Sequence, residues 1–252
     1  MKEEISRSNP VFQEQVFRSV QSSPFEVVQV MTASGVCQKT FILLGLLLMT
    51  AAFAWFRPCP PEALCQQIIL FSLVAFGLCI AVRFCPPQAA RIIAPLYALT
   101  EGFVFGAISR IAELRVPGVV SQAALSTVAV LAVMLFMYRR GIIQPTQRFT
   151  LVVFSATVAI AITYLLSALF SAFGGGGFSF LHGNSLLGVG VSAVVCVVAA
   201  LNLILDFGFI ENQIKNGAPK EMEWIATLGL FVTLLWIYIE VLELLTKLHS
   251  RD

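Results

Sequence analysis

Glu101, Asp206 and Glu240 each stand in a stretch that is otherwise almost free of charge. The stretches are long and apolar enough to cross a bilayer, and an ionisable group at membrane depth is costly. Where one occurs it usually faces a bundle interior or a wet cavity and marks a path for protons or cations. The chemistry such groups could do is reversible protonation and loose ligation of a hard cation by carboxylate oxygen. The alternative for each is a neutral carboxyl that only hydrogen-bonds a neighbour.

The sixth apolar stretch shows how one such group is aimed. Gly188, Ser192, Cys196, Ala199, Asn202 and Asp206 recur at spacings of three and four and share one helical face. Small and polar residues face protein rather than lipid, so Asp206 and Asn202 are expected to point inward. In the third stretch Ala94, Ala98, Gly102 and Gly106 are four apart, a small-residue packing face. Glu101 lies one position off that face near the bilayer midplane, and Asn202 and Glu101 are candidate pathway residues. Pro95 frees a backbone carbonyl one turn before Glu101. In the seventh stretch Thr233, Trp236 and Glu240 share a face, and Glu243 follows as an expected wet helix end.

These residues need helices to hold them. The chain has 252 residues, 58% apolar and 12% charged, against about 25% charged in soluble domains. The expected class is an all-α integral membrane protein, a bundle of seven transmembrane helices. Expected spans are 40–56, 67–84, 92–112, 119–138, 149–173, 186–210 and 225–245. A polar tail over 1–39 precedes them and a short tail over 246–252 follows. Turn signals at Arg57–Pro61, Pro86–Pro87, Pro117–Gly118, Gly174–Gly177 and Asn216–Pro219 separate the spans. Eleven Lys and Arg fall on the side of the N-terminus and five on the other. By the positive-inside rule the N-terminus is cytoplasmic and the C-terminus outside.

The same inventory excludes other classes. A formal charge of +2 and no long basic run argue against nucleic acid. The tail is polar, so no cleavable signal peptide is expected. His182 and His249 fall at loops or ends, and no nucleophile sits beside a base. No enzyme, no cofactor and no resident metal are expected. Of six cysteines, Cys59 and Cys65 share the short loop after the first span. They could form a disulfide if that loop faces an oxidising compartment.

Several stretches, in order, resemble one family. They are Ser8–Phe12, Met31–Thr40, Ala94–Ser109, Ala200–Glu211, Gly217–Trp224 and Trp236–Leu245. Nearly end to end, the chain is similar to the transmembrane Bax-inhibitor-motif proteins, in particular the bacterial Bax inhibitor-1/YccA-like branch. The resemblance implies a seven-helix bundle in a bacterial inner membrane and a pH-sensitive calcium leak, with calcium and protons as permeant ions. It also implies an acidic pair on the sixth and seventh helices that shares a proton. Carried over by position, the pair is Asp206 and Glu240, which could also hold calcium transiently.

The chain departs from the family pattern in the 33 residues between these acids, about two helical turns more than expected. Two straight helices turning near Gly217 would leave the acids roughly 18 Å apart in depth. If Lys220–Gly229 instead lay along the interface, with Glu223 and Trp224 at its surface, the gap would shrink to a few ångströms. A second function class remains open: a membrane protein that modulates a partner such as a membrane protease through its tail, with structural acids. A proton-coupled carrier ranks last, because no internal repeat is visible.

Overall fold

The computed structural model describes residues 29–57, 61–173 and 185–250. The described residues form seven long helices: α1 (Ala33–Phe56), α2 (Pro61–Phe84), α3 (Ala90–Arg115), α4 (Val119–Arg139), α5 (Gln147–Ala172), α6 (Leu186–Lys215) and α7 (Met222–His249). A single 3₁₀ turn, Pro87–Ala89, precedes α3. All seven are long and apolar enough to span a membrane. The expected seven spans are therefore present, each within or nearly within one helix. α1 begins at Ala33 and α7 runs to His249, so both helices reach into the stretches expected as tails. Thr32 caps α1, its hydroxyl accepting from the Gly35 N–H at 3.1 Å, and the last helix continues through Lys247 because that side chain is buried and ion-paired rather than solvated.

The helices divide by burial. α3 and α7 are the inner pillars, and α2 and α5 are almost wholly peripheral. The peripheral helices expose large apolar side chains, Phe76, Leu151, Phe154 and Leu165 among them, which in a bilayer meet lipid. α7 packs against α6, α4, α1 and α3. Two apolar clusters cover its length, one with Leu203, Ile204 and Ile237, the other with Leu43, Tyr97 and Phe231.

The small-residue face of α3 meets α1. A Cβ on Gly102 would lie 2.4 Å from the Leu47 carbonyl oxygen, and one on Gly106 would lie 2.3 Å from that of Ala51. The two backbones are in contact, as the four-residue spacing predicts.

The α6–α7 hairpin turns at Asn216–Glu221, with Gly217 at φ +66°, a left-handed value that glycine adopts without strain. The chain just before α1 is fastened to this turn. Met31 N–H donates to the Ala218 carbonyl at 2.8 Å, Lys220 N–H donates to that of Gln29 at 2.8 Å, and Val30 bridges Pro219. Lys220 Nζ also donates to the Gln29 side chain at 2.7 Å.

Candidate functional site

α6 and α7 are both continuous helices, so the second half of the hairpin does not lie along the interface. Glu223 is fully buried rather than at a surface. It is ion-paired with Lys39 and accepts from the Thr32 N–H at 2.9 Å and the Thr32 hydroxyl at 3.1 Å. Gly35 makes room for it: a Cβ there would lie 2.2 Å from Glu223 Oε1. Lys39 also sits over the Trp224 ring at 5.3 Å. The amphipathic look of Glu223 and Trp224 arises from this internal ion pair, not from exposure to headgroups.

With both arms straight, Asp206 and Glu240 do not meet. Asp206 lies nine residues before the end of α6 and faces Thr233 on α7. Glu240 lies seven residues beyond Thr233, about 10 Å further along the axis. The separation is less than 18 Å because the turn takes residues 216–221 out of both helices.

The surroundings of the two acids differ. Asp206 Oδ2 is buried and has no hydrogen-bond partner among the described residues. Thr233 is the hydrogen-bonding neighbour of the Asp206 carboxyl, its hydroxyl also lying 3.3 Å from the Gly229 carbonyl, so Oδ2 is the oxygen left unserved. A buried carboxylate oxygen without a donor is costly unless a proton, an ion or water serves it. Glu240 is 3% exposed and well served. Trp236 Nε1 donates to its Oε1 at 3.0 Å, and Tyr164 Oη on α5 lies 3.2 and 3.4 Å from its two oxygens. The pattern Trp236–Glu240 is an i,i+4 pair on one face, so the sequence placed that contact.

Beyond Glu240 the same face carries a charged cluster. Lys247 Nζ lies 2.7 Å from Glu243 Oε1 and donates to Ser192 Oγ on α6 at 2.7 Å. Lys247 is 3% exposed. Glu243 was expected as a wet helix end; it is instead the partly shielded partner of a buried ammonium. The signal was available, since Glu240, Glu243 and Lys247 fall at i, i+3 and i+7. Tyr164 carried no such signal, because its partner is on another helix.

Glu101 stands apart from both acids. Its neighbours are Tyr97, one turn earlier, and Cys79 on α2, so it faces the α2–α3 seam. Asn202 shares the Asp206 face of α6 but reaches α5: its Nδ2 donates to Thr157 Oγ1 at 2.8 Å and to the Val198 carbonyl at 2.9 Å. The expected inward stripe of α6 thus serves two partners, α5 through Asn202 and α7 through Asp206 and Ser192. The possible Cys59–Cys65 disulfide lies outside the described residues, as Cys59 is not among them; His182 lies outside them too.

A sequence model of the Bax inhibitor 1 like proteins matches residues 9–250. The chain belongs to that family. No curated protein and no solved structure matches it. For this Bax inhibitor 1 like chain the family match covers all seven helices and both acids, so its assignment as a multi-pass membrane protein rests on the family and on helix composition together.

Proposed function

We propose that the chain is a pH-sensitive cation leak, with calcium and protons as permeant ions, in which Asp206 and Glu240 act as separate carboxylate stations in series. The observation that carries this reading is the partnerless Asp206 Oδ2, buried where α6 faces the inner helix α7. A protonated Asp206 is neutral and offers nothing to a cation. An ionised one offers hard oxygen ligands at membrane depth. Acid pH therefore closes the path and rising pH opens it. Glu240, held by Trp236 and Tyr164, is the second station, and the Glu243–Lys247 pair stands past it toward the end of α7. Asn202 borders the path on its α5 side, and Glu101, in the α2–α3 seam, lies off it. The family supports a multi-pass membrane protein and the excess of Lys and Arg on one side supports an N-terminus in the cytoplasm; the membrane we propose is a bacterial inner membrane. No step of this reading is catalytic and none needs a cofactor.

The test is calcium flux into liposomes holding the purified protein, across pH about 5 to 8, where coupled or buried carboxyls titrate. Asp206→Asn should cut flux and flatten its pH dependence. Glu240→Gln should change flux while leaving a pH dependence owed to Asp206. Flux no greater than that of empty liposomes for the unaltered protein refutes the leak.

A second reading is favoured by one observation. The segment Gln29–Thr32 is hydrogen-bonded to the turn of the hairpin that carries both acids. A partner, such as a membrane protease, that engaged the tail would act directly on that hairpin. Under this reading, removing residues 1–28 abolishes function while Asp206→Asn has little effect.

A further inference from the structure

A groove unrelated to the acids opens at the end of the bundle where α1 begins and α4 and α6 end. Its volume is about 870 Å³. The walls are Phe41 and Leu44 of α1 and Leu131 and Leu135 of α4, and the floor is formed by Leu230 and Leu234 of α7. Phe41 is 69% exposed and Leu135 36%, so the groove faces sideways, out of the bundle. On α1 its lining runs from Ala33 to Leu44, about 16 Å along the axis, roughly half the hydrocarbon thickness of a bilayer.

Its mouth is polar and basic. Arg139 and Lys215 line it together with Tyr138, Gln144 and Glu211. Glu211 is held by Lys215, at 2.6 Å, and by the Tyr138 hydroxyl. Arg140, next in the chain, lies over the Phe136 ring at 5.3 Å. Two cations, Arg139 and Lys215, against the one carboxylate of Glu211 leave the mouth positive, beside an apolar slot.

We propose that this groove seats one acidic phospholipid, its phosphate at Arg139 and Lys215 and an acyl chain along Phe41, Leu135 and Leu230. Several features of the groove point to a lipid as the occupant. The slot is parallel to the helices, is apolar below and cationic only at headgroup level, and is open on the side that the bilayer itself covers. Basic pockets between transmembrane helices recognise anionic headgroups in this way. The inference is independent of the leak, since it concerns binding alone.

The experiment is native mass spectrometry of the purified full chain in a neutral detergent, titrated with dioleoyl phosphatidylglycerol or dioleoyl phosphatidylcholine. One phosphatidylglycerol should be retained in preference to phosphatidylcholine. Each cation near an anionic headgroup contributes about 1 kcal/mol, roughly fivefold in affinity, so Arg139→Gln with Lys215→Gln should weaken phosphatidylglycerol about 25-fold. Arg83→Gln with Arg91→Gln removes two cations outside the groove and should leave binding unchanged. Cys37, exposed on the groove wall, offers a steric test: Cys37→Trp fills the slot and should lower retention of both lipids. Equal retention of the two lipids by the unaltered protein overturns the proposal. So does an equal loss in the Arg83, Arg91 variant, which would mean general surface attraction. Displacement by soluble glycerol phosphate would make the site one for a free anion and overturn it as well. Thermal unfolding of each variant, unchanged from the parent, excludes loss of fold as the cause.

Discussion

Lys39→Met tests whether the α1–α7 ion pair fastens the hairpin. The substitution keeps the length of the side chain and removes its charge. Glu223 is left fully buried, with only the two Thr32 donors at 2.9 and 3.1 Å. Breaking a buried pair by removing one partner costs about 3–5 kcal/mol, because the remaining charge is uncompensated. The Lys39 side chain is 14% exposed, so water softens the loss and the lower end, about 3 kcal/mol, applies. At about 2–4 °C per kcal/mol for a chain of this size, the midpoint should fall by roughly 6–12 °C in detergent. Replacing both charges, Lys39→Met with Glu223→Leu, should recover most of that, since a buried pair and an apolar pair of similar volume are often of equal stability. The double-mutant cycle should therefore show coupling of about 2 kcal/mol or more. Lys39→Met melting within 2 °C of the parent would refute the argument, and so would additive losses in the double variant.

Two further results follow from the geometry. Gly106→Val should separate α1 from α3, since even its Cβ would meet the Ala51 backbone at 2.3–2.8 Å; a backbone cannot yield as a side-chain tip can. The expected cost is about 1–3 kcal/mol or more, read as a lower midpoint, and full parental stability would mean the two backbones are not in contact. Asp206→Asn and Glu240→Gln, about 10 Å apart with no shared partner, should add within about 0.5 kcal/mol in stability. A strongly non-additive double variant would mean that the acids share a proton after all.

The seven helices were legible because length, hydropathy and Pro/Gly punctuation each report on span without reference to neighbours. The α1–α3 contact was legible too: Ala94, Ala98, Gly102 and Gly106 declare a close-packed face whatever lies opposite. The environment of each acid was less visible, because it depends on which helix lies alongside. Nothing in the sequence tells Glu240 that Tyr164, 76 positions earlier, will reach it, or that Asn202 turns to Thr157 rather than toward the second acid. The place of Glu223 was left open for the same reason. An acid beside a tryptophan at a helix start looks interfacial until Lys39, 184 residues away, is seen to fill its pocket. Lys247 was the exception, since its register with Glu240 and Glu243 was there to be read.

The register of the hairpin decides between paired and separate acids. For Glu240 to reach the level of Asp206, α7 would have to slide about 10 Å, nearly two turns, along α6. Such a slide would draw Glu223 out of its contacts with Lys39 and Thr32 and break the Met31–Ala218 and Lys220–Gln29 hydrogen bonds. It would also strip Glu240 from Tyr164 on α5 and Lys247 from Ser192 on α6. The Lys39–Glu223 and Lys247–Ser192 contacts among these are charge-assisted and largely buried, and they lie toward opposite ends of one helix. A single proton titrated between pH 5 and 8 supplies about 4 kcal/mol at most, at about 1.4 kcal/mol per pH unit, which the loss of the buried Lys39–Glu223 pair alone, about 3–5 kcal/mol, would consume. Under the proposed leak, titration would therefore act on each acid where it stands, and opening would be a local change at the Asp206–Thr233 level rather than a sliding of the hairpin.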